Sequence, residues 1–236
     1  MGKENHGKQE SPQDEDQSYV KITVGGLKEI DPTKEHKVLG TNWNLGEDTI
    51  VMKLNEIVEF ARNLEPTKRN VLRIAGKLFD PLGRISPVMV VLRMLLQELC
   101  LNKFEWDGLI SQPGRNRPQK WLADLERVGE MSENRYYFPE EERRVKSAIL
   151  HGFGDASRGA YGAVVYLCIK TEDGHRTSLV ASKSRVTPSS PMSIPRLELL
   201  AALIVARLFS SVQEALEKVL SIKETFCWTD STTAFY

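Results

Sequence analysis

The 236-residue sequence predicts a chain of mixed α+β and α/β class: a short β-hairpin region, a helical middle, and a C-terminal mixed sheet with a crossover helix. Three observations carry that expectation. Between Tyr19 and Leu54, short β-type runs alternate with turn residues. Between Glu56 and Leu101, apolar residues recur at helical spacing, broken by Pro66 and by Asp80-Pro81-Leu82-Gly83. After residue 147, apolar strand-like runs surround one long apolar helix.

Residues 1–18 (MGKENHGKQESPQDEDQS) hold almost nothing to bury and are expected to be a disordered lead-in. YVKITV before Gly25-Gly26, then KVLGTNW, then TIVMKL after Gly46-Glu47-Asp48 are read as two or three antiparallel strands. In the helical region Ser86 is the expected cap of a helix with Pro87 in its first turn. A further helix is expected over Pro118–Val128, after the loop 108–118. Residues 129–147 are charged and without a clear period, the signature of a linker between domains. Beyond it, Ala148–Asp155, Tyr161–Ile169 and Thr177–Val186 are predicted strands, the middle one buried on both faces. Pro195 opens a helix reaching about Leu220, whose stretch LELLAALIVARLF is apolar nearly all round and is expected in the core. TFCWTD is the final strand, with Phe226, Trp228 and Asp230 on one face.

Composition narrows the function classes. Thirty-two basic and 32 acidic side chains balance to a formal charge of zero, so nucleic-acid binding has to rest on a local patch. With 41% hydrophobic and 27% charged residues, wholesale disorder is excluded. At roughly 150 residues per domain, the length suggests one or two domains. Cys100, Cys168 and Cys227 lie far apart, and His6, His36, His151 and His175 are scattered, which argues against a disulfide framework and a zinc site. Reducing, intracellular surroundings fit that cysteine usage best. No signal peptide precedes Ser18, and the longest apolar run, taken as Val88–Leu101, is interrupted by Arg93, Gln97 and Glu98, so no membrane partner is expected.

The chemistry centres on three acids. Asp155 and Asp230 each stand at the carboxyl end of an apolar strand, and Glu198 lies in the first turn of the helix between them. A strand, a crossover helix and a later strand are most simply joined in parallel, which sets the two aspartates side by side at the edge where α/β sheets bind ligands. Convergent carboxylates repel one another unless a cation sits among them, and hard oxygen ligands suit Mg²⁺ or Mn²⁺. The same letters also suit ordinary turn acids and a helix-dipole glutamate.

At these residues a family becomes visible. HGFGDASRGAYGAVVYL, PRLELLAALIVARL and CWTDSTTAF resemble, in order, the first, second and third acidic motifs of the ribonuclease H domain in Pao/BEL-type retrotransposon polyproteins. Upstream, LGTNW, PTKRNVLRIAGKLFDPLGRISPVMVVLRMLLQELC and FEWD resemble the stretch joining the reverse transcriptase palm and thumb to that domain. The resemblance runs from about Val38 onward. It implies the end of the palm at 19–54, a helical thumb and connection at 55–128, a linker at 129–147, and a ribonuclease H-like domain at 148–236. It implies that Asp155, Glu198 and Asp230 are catalytic and bind the metal, that the family's fourth acid lies beyond Tyr236, and that the domain is incomplete and its activity impaired. It places the chain in the cytoplasm or in a virus-like particle, with the rest of the polyprotein as partner. Neither a Y-x-D-D polymerase pair nor the D-[ST]-G loop of an aspartic peptidase occurs.

Candidate nucleic-acid contacts follow. On the helix after Pro66, Arg69, Arg73 and Lys77 share one face opposite the apolar stripe Val71, Ile74, Ala75 and Leu78. In the thumb reading that face follows the phosphates of a primer-template; otherwise it is a solvated helix face. Leu39-Gly40-Thr41-Asn42-Trp43 resembles a hairpin that holds the primer end, and suits an ordinary strand with a buried tryptophan equally. Arg158, Lys183, Arg185 and Arg196 flank the acidic motifs and are candidates for the phosphates of an RNA–DNA hybrid, with Ser157 and Ser184 adding hydroxyl contacts. The preference for cutting the RNA strand enters through the resemblance alone. The rival expectation is a domesticated or decayed remnant that binds nucleic acid without turnover.

Overall fold

A computed structural model describes residues 36–38, 41–110, 112–137, 145, 147–172 and 174–232. The expected lead-in and the YVKITV strand lie outside these residues. The fold is mixed α/β, with five helices among the described residues and two four-stranded sheets.

The first sheet is antiparallel in the order β1-β2-β3-β4, from β1 (His36–Val38), β2 (Thr41–Asn44), β3 (Thr49–Lys53) and β4 (Glu130–Asn134). The β2–β3 turn ends at Asp48, which adopts a positive φ of 50°. Its carboxylate accepts bonds from Arg135 Nε at 2.6 Å and Nη2 at 2.8 Å, and from Trp43 Nε1 at 2.9 Å. That clamp brings the chain beyond β4 back to the turn. Part of the segment expected as a linker is therefore a strand: Glu130–Asn134 pairs along the whole of β3. Its polar letters conceal this because the partner lies some 80 residues earlier, where local periodicity cannot reach.

Helices α1 (Leu54–Arg62), α2 (Lys68–Lys77), α3 (Ser86–Leu101) and α4 (Gln112–Val128) pack around a core that includes Leu54, Val58, Ile74, Leu92, Trp121 and Leu125. Thr67 caps α2 by accepting the Asn70 amide at 3.3 Å. Ser86, the expected cap of α3, is instead its first residue. Ile85 is the cap residue and no side chain caps the helix; Asp80 instead holds the turn before it, its two carboxylate oxygens accepting the Arg84 and Ile85 amides at 2.8 Å each. Helix α4 begins before Pro118, and an Arg117–Glu98 ion pair ties its early turns to α3.

The second sheet runs β7-β6-β5-β8. β5 (Ser147–Ala156), β6 (Ala160–Lys170) and β7 (His175–Val186) are antiparallel, and β8 (Ile222–Trp228) lies parallel to β5. The parallel step is made by α5 (Ile194–Leu216) crossing one face. Leu197, Ala201 and Val205 are buried there with Tyr161 and Ala163, and Phe209 and Val212 with Leu150, Val165 and Leu167, each large apolar side chain contributing about 1.5–3 kcal/mol. Two expectations change. β6 alternates between buried residues under α5 and half-buried residues on the far side, because a helix covers only one face. And α5 is not wholly core: Leu199 and Leu203, on its outer side, are 49% and 43% exposed. By length and composition α5 is also the helix among the described residues that could cross a membrane, a longer apolar run than Val88–Leu101.

The helical half meets the second sheet at α3 and the turn before it. The amide of Ser182 donates to Leu82 O at 2.8 Å, the Ser182 hydroxyl bonds the Gly83 carbonyl, and Gln97 Nε2 donates to Thr187 O at 2.6 Å. Gly83 has a φ of 74°, and a Cβ there would overlap the Ser182 carbonyl.

Candidate active site

Register places the aspartates. His151 pairs with Phe226 and Phe153 with Trp228 across the parallel β5–β8 ladder, so the next step of two along each strand brings Asp155 and Asp230 to the same strand ends. Both line one cavity of about 640 Å³, together with Phe153, Trp228, Ser157 and, from the α3 side, Pro87. Asp155 Oδ1 also accepts the Ala156 amide at 2.6 Å.

Glu198 reaches the site from the helix. It is the fifth residue of α5, one position past the first turn in which it was expected. The helix lies close to β5 because Gly154 has no side chain: a Cβ there would overlap Val205 Cγ2 and touch the Ala201 backbone. Glu198 is absent from the cavity lining and accepts a hydrogen bond from the hydroxyl of Ser231, the residue after Asp230. The structure thus brings Asp155 and Asp230 to one cavity and tethers Glu198 beside them. Among the described residues, no three His, Cys, Asp or Glu side chains are grouped closely enough to hold a metal ion as they stand.

The basic residues divide. Lys183 lines the cavity; Arg158, Arg185 and Arg196 are exposed and do not. The Ser157 hydroxyl donates to Ala160 O at 2.9 Å within the β5–β6 turn, and that of Ser184 bonds Ser86 O at 3.5 Å, so both serve the fold. On α2, Arg69 is paired bidentately with Asp107 at 2.7 and 3.0 Å, which holds the Asp107 carboxyl below the usual carboxylate range. Arg73 and Lys77 lie over the Phe60 ring at 5.6 and 4.0 Å. Of the expected primer-end hairpin, Leu39 and Gly40 lie outside the described residues, and Trp43 is fixed by Asp48 with Arg135 over its ring.

A family model for the Pao retrotransposon-like RNaseH-like domain matches residues 67–231. The chain belongs to that family. The match spans α2 through the strand-end acids, so the Pao RNase H-like family includes the helical segment as well as the second sheet. No curated protein matches the chain. Among solved structures, the foamy viral protease-reverse transcriptase in complex with dsDNA is similar at 14% identity and a TM-score of 0.42, covering 85% of this chain and 38% of that one. Its dRH form with dsDNA and the complex with an RNA/DNA hybrid are each 13% identical with TM-scores of 0.41. The chain covers 32% and 25% of those two.

RNase H-like domains generally use divalent metals, and the donor set in this Pao domain suits one. Asp155, Glu198 and Asp230 offer carboxylate oxygens only, and none of them forms a salt bridge among the described residues. Two residues near the site escape sequence reasoning. Ser231 is 3% exposed, and its partner Glu198 lies 33 residues earlier; the signal was a hydroxyl directly after a strand-end acid. The Arg84 side chain is 7% exposed, lines the cavity and pairs with Glu133 of β4; nothing in its local sequence marks it.

Proposed function

We propose that this region carries the carboxylates of a ribonuclease H-type endonuclease, which hydrolyses the RNA strand of RNA–DNA hybrids within a BEL/Pao-type retroelement polyprotein. The observation that carries the reading is the placement of Asp155 at the end of β5 and Asp230 two residues past the parallel β8, both lining one cavity, with Glu198 tethered to the residue beside Asp230. Asp155, Glu198 and Asp230 would hold Mg²⁺ or Mn²⁺, which when bound stabilises charge on a phosphoryl oxygen and makes water a stronger nucleophile. Their own part is to hold acceptor oxygens at fixed strand and helix ends. Pro87 of α3, Phe153 and Trp228 give the open cavity an apolar side, and Lys183 offers positive charge to a phosphate. In this reading 19–54 is the end of a palm, 55–128 a thumb and connection, and the remaining polyprotein and a primer-template or hybrid are the partners.

A second reading, a nucleic-acid binder without turnover, is favoured by one observation: the three carboxylates are not gathered into a closed ligand group. Cleavage of a labelled RNA–DNA hybrid in Mg²⁺ and in Mn²⁺ separates the two. Under the nuclease reading, cation-dependent cutting of the RNA strand is lost in Asp155→Asn. Salt-dependent binding with no cutting, or cutting that survives Asp155→Asn, would overturn it.

A further inference from the structure

The Ser231 hydroxyl is a buried polar group in a molecule whose described residues bury few. Its amide donates to Thr229 Oγ1 at 3.1 Å, a local turn just past β8 that aims the side chain back toward the helix. The hydroxyl donates to Glu198 Oε2. Of the three acids, Glu198 is the one that the sheet ladder does not place: Asp155 and Asp230 stand at strand ends, whereas Glu198 projects from a helix that packs tightly on β5 further along, at Gly152 and Gly154. A glutamate has one more rotatable bond than an aspartate, so its carboxylate needs an anchor to stay beside the others.

We infer that Ser231 is a positioning residue, which fixes one oxygen of Glu198 next to Asp230 and leaves the other free as a ligand for a divalent cation. This rests on the reading of the carboxylates as a cation site. A hydroxyl suits the role because it can donate to a carboxylate without neutralising it, which a lysine or arginine would do. Hydrogen bonds that orient a ligand typically change metal affinity about 10- to 100-fold when removed.

The test is Mn²⁺ binding by the full chain, with free Mn²⁺ followed by electron paramagnetic resonance, and a thermal melt of each variant beside it. Ser231→Ala is expected to weaken Mn²⁺ binding about tenfold, and Ser231→Thr, which keeps the hydroxyl, to stay close to the parent. In a Glu198→Ala background, Ser231→Ala should cost no further affinity, because the serine acts through the glutamate. A purely structural serine would lower the melting temperature and leave affinity unchanged, or weaken binding equally in both backgrounds; either result, or tighter binding in Ser231→Ala, overturns the inference. A parent chain that binds no Mn²⁺ at millimolar concentration, or binds it equally with Asp155 replaced by asparagine, overturns the cation-site reading instead.

Discussion

Asp48 concentrates three contacts in one carboxylate: a bidentate pair with Arg135 and the Trp43 indole. The Arg135 hydrogen bond, followed by the weaker pull of Trp43, holds its carboxyl below the usual range against the opposing effect of burial. A depressed carboxylate stabilises the fold fully above its unfolded value of about 4 and loses that contribution as the pH falls through the folded value. Asp48→Asn should therefore cost about 1 kcal/mol at neutral pH. In urea melts the gap between the two proteins should close on acidification below the ordinary carboxylate range; a gap independent of pH would show that packing, not charge, is lost. At Gly154 sterics decide the outcome. Alanine there would press on Val205 and the α5 backbone, at a cost of about 1–3 kcal/mol by overpacking. Equilibrium denaturation measures this directly, and a neutral result would mean that α5 has room to retreat.

At the scale of elements, the α2 stripe is less free than its spacing suggests. Arg69 is engaged by Asp107, whereas Arg73 and Lys77 lie over the Phe60 ring. If the helix follows phosphates, replacing Arg73 and Lys77 by alanine should reduce the slope of log affinity against log salt by about 2, and Arg69→Ala should change it by much less than 1. Equal effects at all three positions, measured on a labelled hybrid, would show that the Asp107 pair opens on binding. The same contrast explains what was legible in the sequence. The period of two set Asp155 and Asp230 at strand ends, and Pro66 and Asp80-Pro81 broke the helices where the structure breaks them. What stayed hidden needed partners far along the chain: β4 on β3, Arg69 on Asp107, and Ser231 on Glu198. The exposed outer side of α5 was hidden for another reason. A run of leucine and alanine reads alike whether one face or both are covered.

On the scale of the whole molecule, the turn at Gly83 joins the helical half to the second sheet through the Ser182 amide and hydroxyl, which bond the Leu82 and Gly83 carbonyls. Gly83→Ala would combine a left-handed conformation with overlap on Ser182 and should cost about 2 kcal/mol. Hydrogen exchange gives a local reading: the Ser182 amide, bonded to Leu82, should exchange faster in the variant while that of Val165 inside the sheet is unchanged. Slowed or equal exchange at Ser182 would mean that the junction re-forms around the methyl. The junction also makes the second sheet one-sided. Around Ser182 its β7 margin bonds the turn before α3, while among the described residues β8 pairs with β5 alone and is largely exposed along its length. Growth of this sheet by a further strand, from the same polypeptide or from a neighbouring molecule, is therefore least obstructed at the β8 margin. Lys223 and Glu224 near the start of β8 act as gatekeepers there, discouraging fibre-like stacking of identical strands.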